Sequence, residues 1–196
     1  MVVEHTAPAN SDLGRFFEPE SLAVIGSFRE SFFGGYVIVK SLLKAGYKGK
    51  IFPINPAYQE VHGLQVYPSI KDVPQQVDLA MVMINARSVP QVVRECAAKG
   101  VRAMIVVSDG FAERDEAGAR LQKELLEVAG REGIRIIGPN TAGVVNTANG
   151  FNPSAYDAGY YRIRKGPIAI GAMTGMTNPQ AFPYNDLRFG VSKICD

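Results

Sequence analysis

The fold turns on Ser21-Leu-Ala-Val-Ile-Gly26-Ser-Phe-Arg-Glu-Ser-Phe-Phe-Gly34-Gly35, which runs directly into Tyr36-Val-Ile-Val-Lys-Ser-Leu-Leu-Lys-Ala45-Gly46. The first six residues read as a buried strand that ends in a glycine. Residues 36–45 have helical period instead, with Ile38, Leu42 and Ala45 on one face and Gly46 as the stop. A strand, a glycine-rich loop and a helix in that order open a βαβ unit.

The same alternation continues outward. Apolar strands are predicted over 50–55, 78–84, 102–107 and, shorter, 135–137, with Pro53 marking a sheet edge or strand end. Ser88 is the expected N-cap of a helix that has Pro90 in its first turn, Val89, Val92, Val93 and Cys96 inward, and Gly100 at its end. The next helix carries Ala117, Leu121, Leu125 and Val128 on one stripe, with Glu116 and Arg120, and Glu127 and Arg131, spaced as i,i+4 pairs. Continuously apolar strands separated by amphipathic helices imply a parallel sheet covered on both faces. Residues 19–147 therefore read as a doubly wound, Rossmann-like α/β domain. Residues 1–18 read as a tail plus a short helix over 12–17, with Phe16 and Phe17 docked on that domain. Residues 148–166, rich in Gly, Asn, Pro and Tyr, form a linker. A strand over 167–170, a helix ending near 189–190 and a strand over 191–195 then start a second, incomplete α/β (flavodoxin-like) unit across 167–196. Two strands cannot bury their own apolar faces, so the chain reads as the front of a longer protein.

Composition narrows the function. Lys+Arg 21 against Asp+Glu 19 gives a net charge of +2, too balanced for a nucleic-acid binder that relies on a basic surface. With 46% hydrophobic and 20% charged residues, global disorder is excluded. The longest apolar runs, 80–84 and 104–107, are far short of the ~20 residues of a membrane helix. No basic stretch leads into an apolar one at the start, so no secretory signal is visible. The two cysteines, Cys96 and Cys195, make neither a disulfide framework nor a metal pair, which points to a cytoplasmic setting and no metal site.

Ligands of open parallel sheets bind beyond the carboxyl ends of the strands. Five loops therefore hold the candidate site: 26–35, 55–58, 85–88, 108–113 and 138–143. In the first, Gly26 and the Gly34-Gly35 pair either admit a phosphate to the helix N-terminus or form a plain turn. Phe28 occupies the place of the second glycine of a dinucleotide fingerprint, and no acid follows the second strand before Glu60; both facts argue against a nicotinamide cofactor. Asp109, between Ser108 and Gly110, either hydrogen-bonds a ribose or amide or caps the next helix. Arg87, beside Asn85 and Ala86, is either a phosphate partner or a solvated charge. Asn140 and Thr141 either face a ligand or bond their own backbone. His5 and His62 fall outside these loops, so no catalytic histidine is assigned.

Five stretches, in order, resemble the front of the NDP-forming acyl-CoA synthetases, the family of the ADP-forming acetate–CoA ligases and the succinyl-CoA ligase α subunit. They are 16–27, 46–56, 63–70 with 77–80, 100–113, and 133–140 with 143–147. The resemblance implies that coenzyme A binds here, with Gly26, Ser27, Phe28 and Arg29 at its pyrophosphate and Asn55, Asn85, Ala86, Ser108, Asp109 and Gly110 along the rest. Asn140 and Thr141 would then neighbour the acyl phosphate, as would Thr174 and Gly175, where the family carries a Ser-x-Ser-Gly phosphate turn. This chain has Ala172 for the first serine, Ala57 where a basic residue is common, and Asn85 where a proline is common. Family catalysis passes through a phosphorylated histidine and an ATP/ADP–Mg site. The resemblance implies that remaining ligase domains or a β-type ATP-grasp subunit supply both, with oligomerisation left open. A stand-alone coenzyme A-binding regulatory or carrier module is the alternative.

Overall fold

Strand β1 (Ser21–Gly26) is buried along its whole length because it has parallel neighbours on both sides. The computed structural model describes residues 13–156, 163–173 and 188–196. With β2 (Lys50–Ile54), β5 (Leu79–Met83), β6 (Ala103–Val106) and β7 (Arg135–Ile137), β1 forms a five-stranded parallel sheet in the order β2-β1-β5-β6-β7. The chain reverses direction across the sheet at β1, as doubly wound folds do. Helix α2 (Gly35–Ala45) and the short α1 (Gly14–Phe17) cover one face, where Phe16, Ile38 and Leu42 pack on Leu22, Val24 and Met81. Helices α3 (Val89–Ala98) and α4 (Glu116–Glu132) cover the other, burying Val93, Cys96, Leu125 and Val128 against Ala80, Val82 and Met104. Burial in that layer pushes the Cys96 thiol up to about 12.

The amino ends of two strands are tied by one carboxylate. Asp78 Oδ2 accepts from the N–H groups of Glu20 and Ser21 and from Ser21 Oγ. Tyr47 donates its hydroxyl to Pro19 O at 2.7 Å, and its burial raises the phenol above its ordinary range.

Local chemistry corrects some expectations. Ser88 makes no side-chain capping bond. Asn85 instead accepts from Arg87 N–H and starts a 3-10 turn, Ala86–Ser88, that leads into α3. A hairpin of β3 (Glu60–Val61) and β4 (Leu64–Gln65) turns at His62 and Gly63; two-residue strands are too short to show a period. Arg120 and Glu116 pair at 3.9 Å as spaced, on an exposed surface where such a pair contributes little.

The second sheet has three strands among the described residues rather than two. β10 (Val191–Cys195) lies between β9 (Lys165–Gly171), parallel, and β8 (Val144–Asn146), antiparallel. Strand alternation splits its side chains between two cores. Val145 and Ile194 pack with Ile163 and Val191, while Val144 and Cys195 face the α2 layer of the large sheet. The helix expected before residue 190 and the tail before residue 13 lie outside the described residues.

Helix α4 holds two glycines with opposite consequences. A Cβ at Gly118 would lie 1.9 Å from Phe111 O, whereas one at Gly130 meets nothing within 4 Å. Gly118→Ala is expected to destabilise the chain by about 1–3 kcal/mol. Gly130→Ala is expected to stabilise it by ~0.5–1 kcal/mol. Urea unfolding curves of the two variants check both signs.

Candidate functional site

The loops after β1, β2, β5, β6 and β7 converge at the carboxyl edge of the large sheet. The first is pinned at several points. Tyr36 N–H donates to Ser27 O, and a Cβ on Gly35 would lie 2.8 Å from that oxygen and 3.1 Å from the Phe28 ring, so only glycine fits. Phe28 is 4% exposed and meets Tyr58 edge-on, so its ring faces the core and only its backbone can face a ligand. Ser27 Oγ shares a 3.2 Å hydrogen bond with Tyr58 Oη and accepts from Arg29 N–H. The loop's far end is held by Gly34 N–H donating to Ala155 O and by a bridge between Phe33 and Tyr156, whose rings lie 4.5 Å apart. No side chain caps α2; backbone oxygens of Ala155 and Ser27 take the N–H groups of Gly34 and Tyr36, and the positive end of the helix lies at this edge.

Asn55 has both side-chain groups engaged, Nδ2 donating to Gly26 O and Oδ1 accepting from Ala57 N–H. It ties the second loop to the first. Ser108 is buried, and its Oγ accepts from Ile84 N–H, which joins the ends of β5 and β6. Asp109 does not cap α4. Asp115 does, accepting from Gly118 N–H at 2.8 Å, while Glu113 accepts from the N–H groups of Gly110 and Phe111. Among the described residues the Asp109 carboxylate has no hydrogen-bond partner and is exposed. Burial pushes the Glu113 carboxyl up, but the backbone N–H groups of Phe111, Glu113 itself and Gly110 outweigh it and hold the group below its ordinary range.

The fifth loop carries Asn140 at φ 56, its N–H donated to Ser108 O and its side-chain amide unbonded among the described residues. Thr141 behaves differently. Its hydroxyl accepts from Gly143 N–H and bonds to Asp196, whose carboxylate also takes Ala142 N–H. The end of β10 thus clamps this turn.

Two cavities open on the edge. One, of about 850 Å³, is lined by Phe33, Met83, Asn85, Ser108, Asp109 and Asn140 together with Tyr156 and Met173. The other, of about 580 Å³, lies against the start of α4 and is lined by Asn85, Ala86, Arg87, Gly110, Arg114 and Arg120. They share Ile84, Asn85 and Asp109 and so meet. The predicted residues Asn85, Ala86, Ser108, Asp109, Gly110, Asn140 and Thr141 are therefore brought together around them. Gly26, Ser27 and Asn55 interlock on the same edge, and Arg29 lies exposed on the first loop. Thr174 and Gly175 lie outside the described residues. Sequence reasoning missed Phe33, Tyr58, Tyr156, Glu113 and Asp196. Only Glu113 had a local signal, a carboxylate three residues after a glycine in a turn. Among the described residues no group of three His, Cys, Asp or Glu is placed to hold a metal ion, and no helix is long and apolar enough to cross a membrane.

Comparison with known proteins agrees with this geometry. The model of the CoA binding domain matches residues 20–147. The acetate–CoA ligase [ADP-forming] II of Archaeoglobus fulgidus is 45% identical over 173 residues, covering 88% of this chain and 25% of the relative. The acetate–CoA ligase [ADP-forming] I subunit alpha of Pyrococcus furiosus is 38% identical, covering 83% of this chain and 36% of the relative. Among solved structures, an acetyl-coenzyme A synthetase 1 of Candidatus Korarchaeum cryptofilum in complex with phosphate and ADP superposes with a TM-score of 0.85 at 31% identity, covering 94% of this chain and 39% of the other. The chain thus spans a quarter to two-fifths of the length of these relatives. A parallel sheet with a glycine-rich first loop, a helix start without a side-chain cap above it and a family match across all five strands together place this chain in the CoA binding domain family.

Proposed function

We propose that this chain is the coenzyme A-binding portion of an NDP-forming acyl-CoA synthetase. That enzyme class converts acid, coenzyme A and NTP to acyl-CoA, NDP and phosphate, reversibly, through an acyl phosphate and a phosphohistidine. The observation that carries the reading is the uncapped start of α2 at the strand edge, held there by the Ser27–Gly35 contact. Backbone N–H groups at a helix N-terminus favour a phosphate. Gly26, Ser27, the Phe28 backbone and Arg29 hold the pyrophosphate. Asn55, Asn85, Ala86, Ser108, Asp109 and Gly110 line the remainder, Asn140 and Thr141 stand near the thiol, and Thr174 and Gly175 are the further acyl-phosphate neighbours that the family motif implies. Asp109 is free to accept a ribose or amide hydrogen bond because Asp115 and Glu113 satisfy the nearby N–H groups in its stead.

The contribution of this portion is proximity: it fixes a thiol where an acyl phosphate arrives. The phosphohistidine and the nucleotide with its Mg belong to further domains or to a β-type ATP-grasp subunit. Both arrangements have a precedent in the relatives, one named a ligase without a subunit and one a subunit alpha. A cytoplasmic setting suits two free cysteines and an intermediate whose acyl phosphate must be kept from water.

Calorimetric titration is expected to show one coenzyme A site and no heat with NADH. Saturation at a hundredfold excess over Kd stabilises the fold by about 2.7 kcal/mol. Binding of NADH without coenzyme A overturns the proposal. Arg29→Ala is expected to weaken coenzyme A binding more than Arg87→Ala, and equal affinities count against the first-loop assignment. Glu113→Ala is expected to weaken it about tenfold by releasing the loop that bears Asp109, the order of one lost charge-assisted hydrogen bond. The Glu113 contribution to stability is present above the ordinary carboxylate range and disappears as pH falls through its lowered value, so wild type and variant converge in acid melts.

A further inference from the structure

The turn between β3 and β4 places a histidine where the backbone favours another residue. Val61 pairs with Leu64, so His62 and Gly63 make the whole turn, and their φ angles of 51° and 78° give it the type I′ pattern. That turn favours Asn-Gly, because asparagine accepts a positive φ more readily than most side chains. The imidazole of His62 is engaged outside the hairpin. Its ring lies 4.2 Å from that of Tyr36, tilted by 45°, and Nε2 stands 3.1 Å from Tyr36 O. A carbonyl only accepts, so Nε2 is assigned the proton and donates.

Tyr36 is the second residue of α2, and its N–H donates to Ser27 O. The first loop therefore holds its N–H and the hairpin holds its carbonyl. The hairpin is itself fixed to the large sheet. Tyr67 N–H donates to Pro53 O, Asn55 N–H donates to Tyr67 O, and Val61 and Val66 are buried in the α2 layer. His62 thus ties the start of α2 to the end of β2, while Ser27 ties it to β1.

We propose that His62 is a positioning residue for the phosphate end of the ligand, kept in a turn position that suits asparagine because its ring fixes the start of α2. The proposal rests on the coenzyme A reading above and adds to it a residue that acts through Tyr36 rather than on the ligand. Backbone N–H groups recognise a phosphate by their direction, so a helix start held on one side only loses affinity before the fold loses stability. An unfavoured backbone conformation retained beside a site is a recurrent exchange of stability for function.

Thermal melts and calorimetric titration with coenzyme A of His62→Asn and His62→Gln test this. Asparagine suits the turn but is too short to reach Tyr36 O. Its variant is expected to melt at the wild-type Tm or above it and to bind coenzyme A about tenfold more weakly, the size of one lost hydrogen bond. Glutamine carries its amide nitrogen to about the place of Nε2 and is expected to recover most of that affinity. Unchanged affinity in His62→Asn, or a Tm that falls together with the affinity, overturns the role of His62 while leaving the coenzyme A site standing. A His62→Gln chain that binds no better than His62→Asn does the same. Failure of the wild-type chain to bind coenzyme A sinks the parent reading and this one with it.

Discussion

The approach of Ser27 O to the Cα of Gly35 sets the arrangement of everything above the sheet. A long loop leaves β1, yet its two ends touch through Tyr36 N–H and Ser27 O, so α2 begins at the strand edge with no side-chain cap. Any side chain at Gly35 would push the helix start away from Ser27 and the Phe28 ring inward of it. The Phe28 ring fills the space beneath the loop and meets Tyr58, which in turn bonds Ser27. A loop several residues longer than a dinucleotide turn is thus held as firmly as a short one, but with a wider mouth. In the function proposed above, that difference separates a site for a phosphate-bearing thiol cofactor from one for a nicotinamide.

Much of this was legible in residue order because it depends on local chemistry. Continuous apolar strands and the stripes of α2, α3 and α4 each show their period within a dozen residues, and Gly34-Gly35 can be read without the fold. The site residues at strand ends follow, since topology puts every such loop on one edge. What could not be read depends on contacts distant in sequence. Tyr156 reaches Phe33 across 123 positions, and the Asp196 carboxylate takes Ala142 N–H from 54 away. The role of Asp109 shows the limit well. Alone it suits a helix cap, and only the competing bonds of Asp115 and Glu113 release it. Phe28 shows the reverse, a residue correctly placed in the loop whose side chain turns to the core.

Residues 144–146 explain why the boundary between the two units is blurred. By sequence they follow the last strand of the large sheet, yet their hydrogen bonds go to β10. Asn146 also donates to Phe17 O, so the same short strand is fastened to α1. Alternation along β8 and β10 sends one set of side chains into each core, and the small sheet borrows apolar cover from the α2 layer that it could not supply itself.

This sharing has a consequence for the chemistry. The far end of β10 carries Asp196 onto the turn that holds Asn140, so the Asn140 end of the cavity is built from both sheets. The first-loop end belongs to the large sheet, through β1 and α2. A ligand lying across the edge therefore touches a rigid single-sheet anchor at one end and a jointly built clamp at the other. In the function proposed above the sulfur must meet an acyl group, and a misplacement of about 1 Å can lower such a rate a hundredfold. On the proposed coenzyme A reading, fixing the turn from the second sheet registers the thiol end of the ligand against the small sheet as well as the large one.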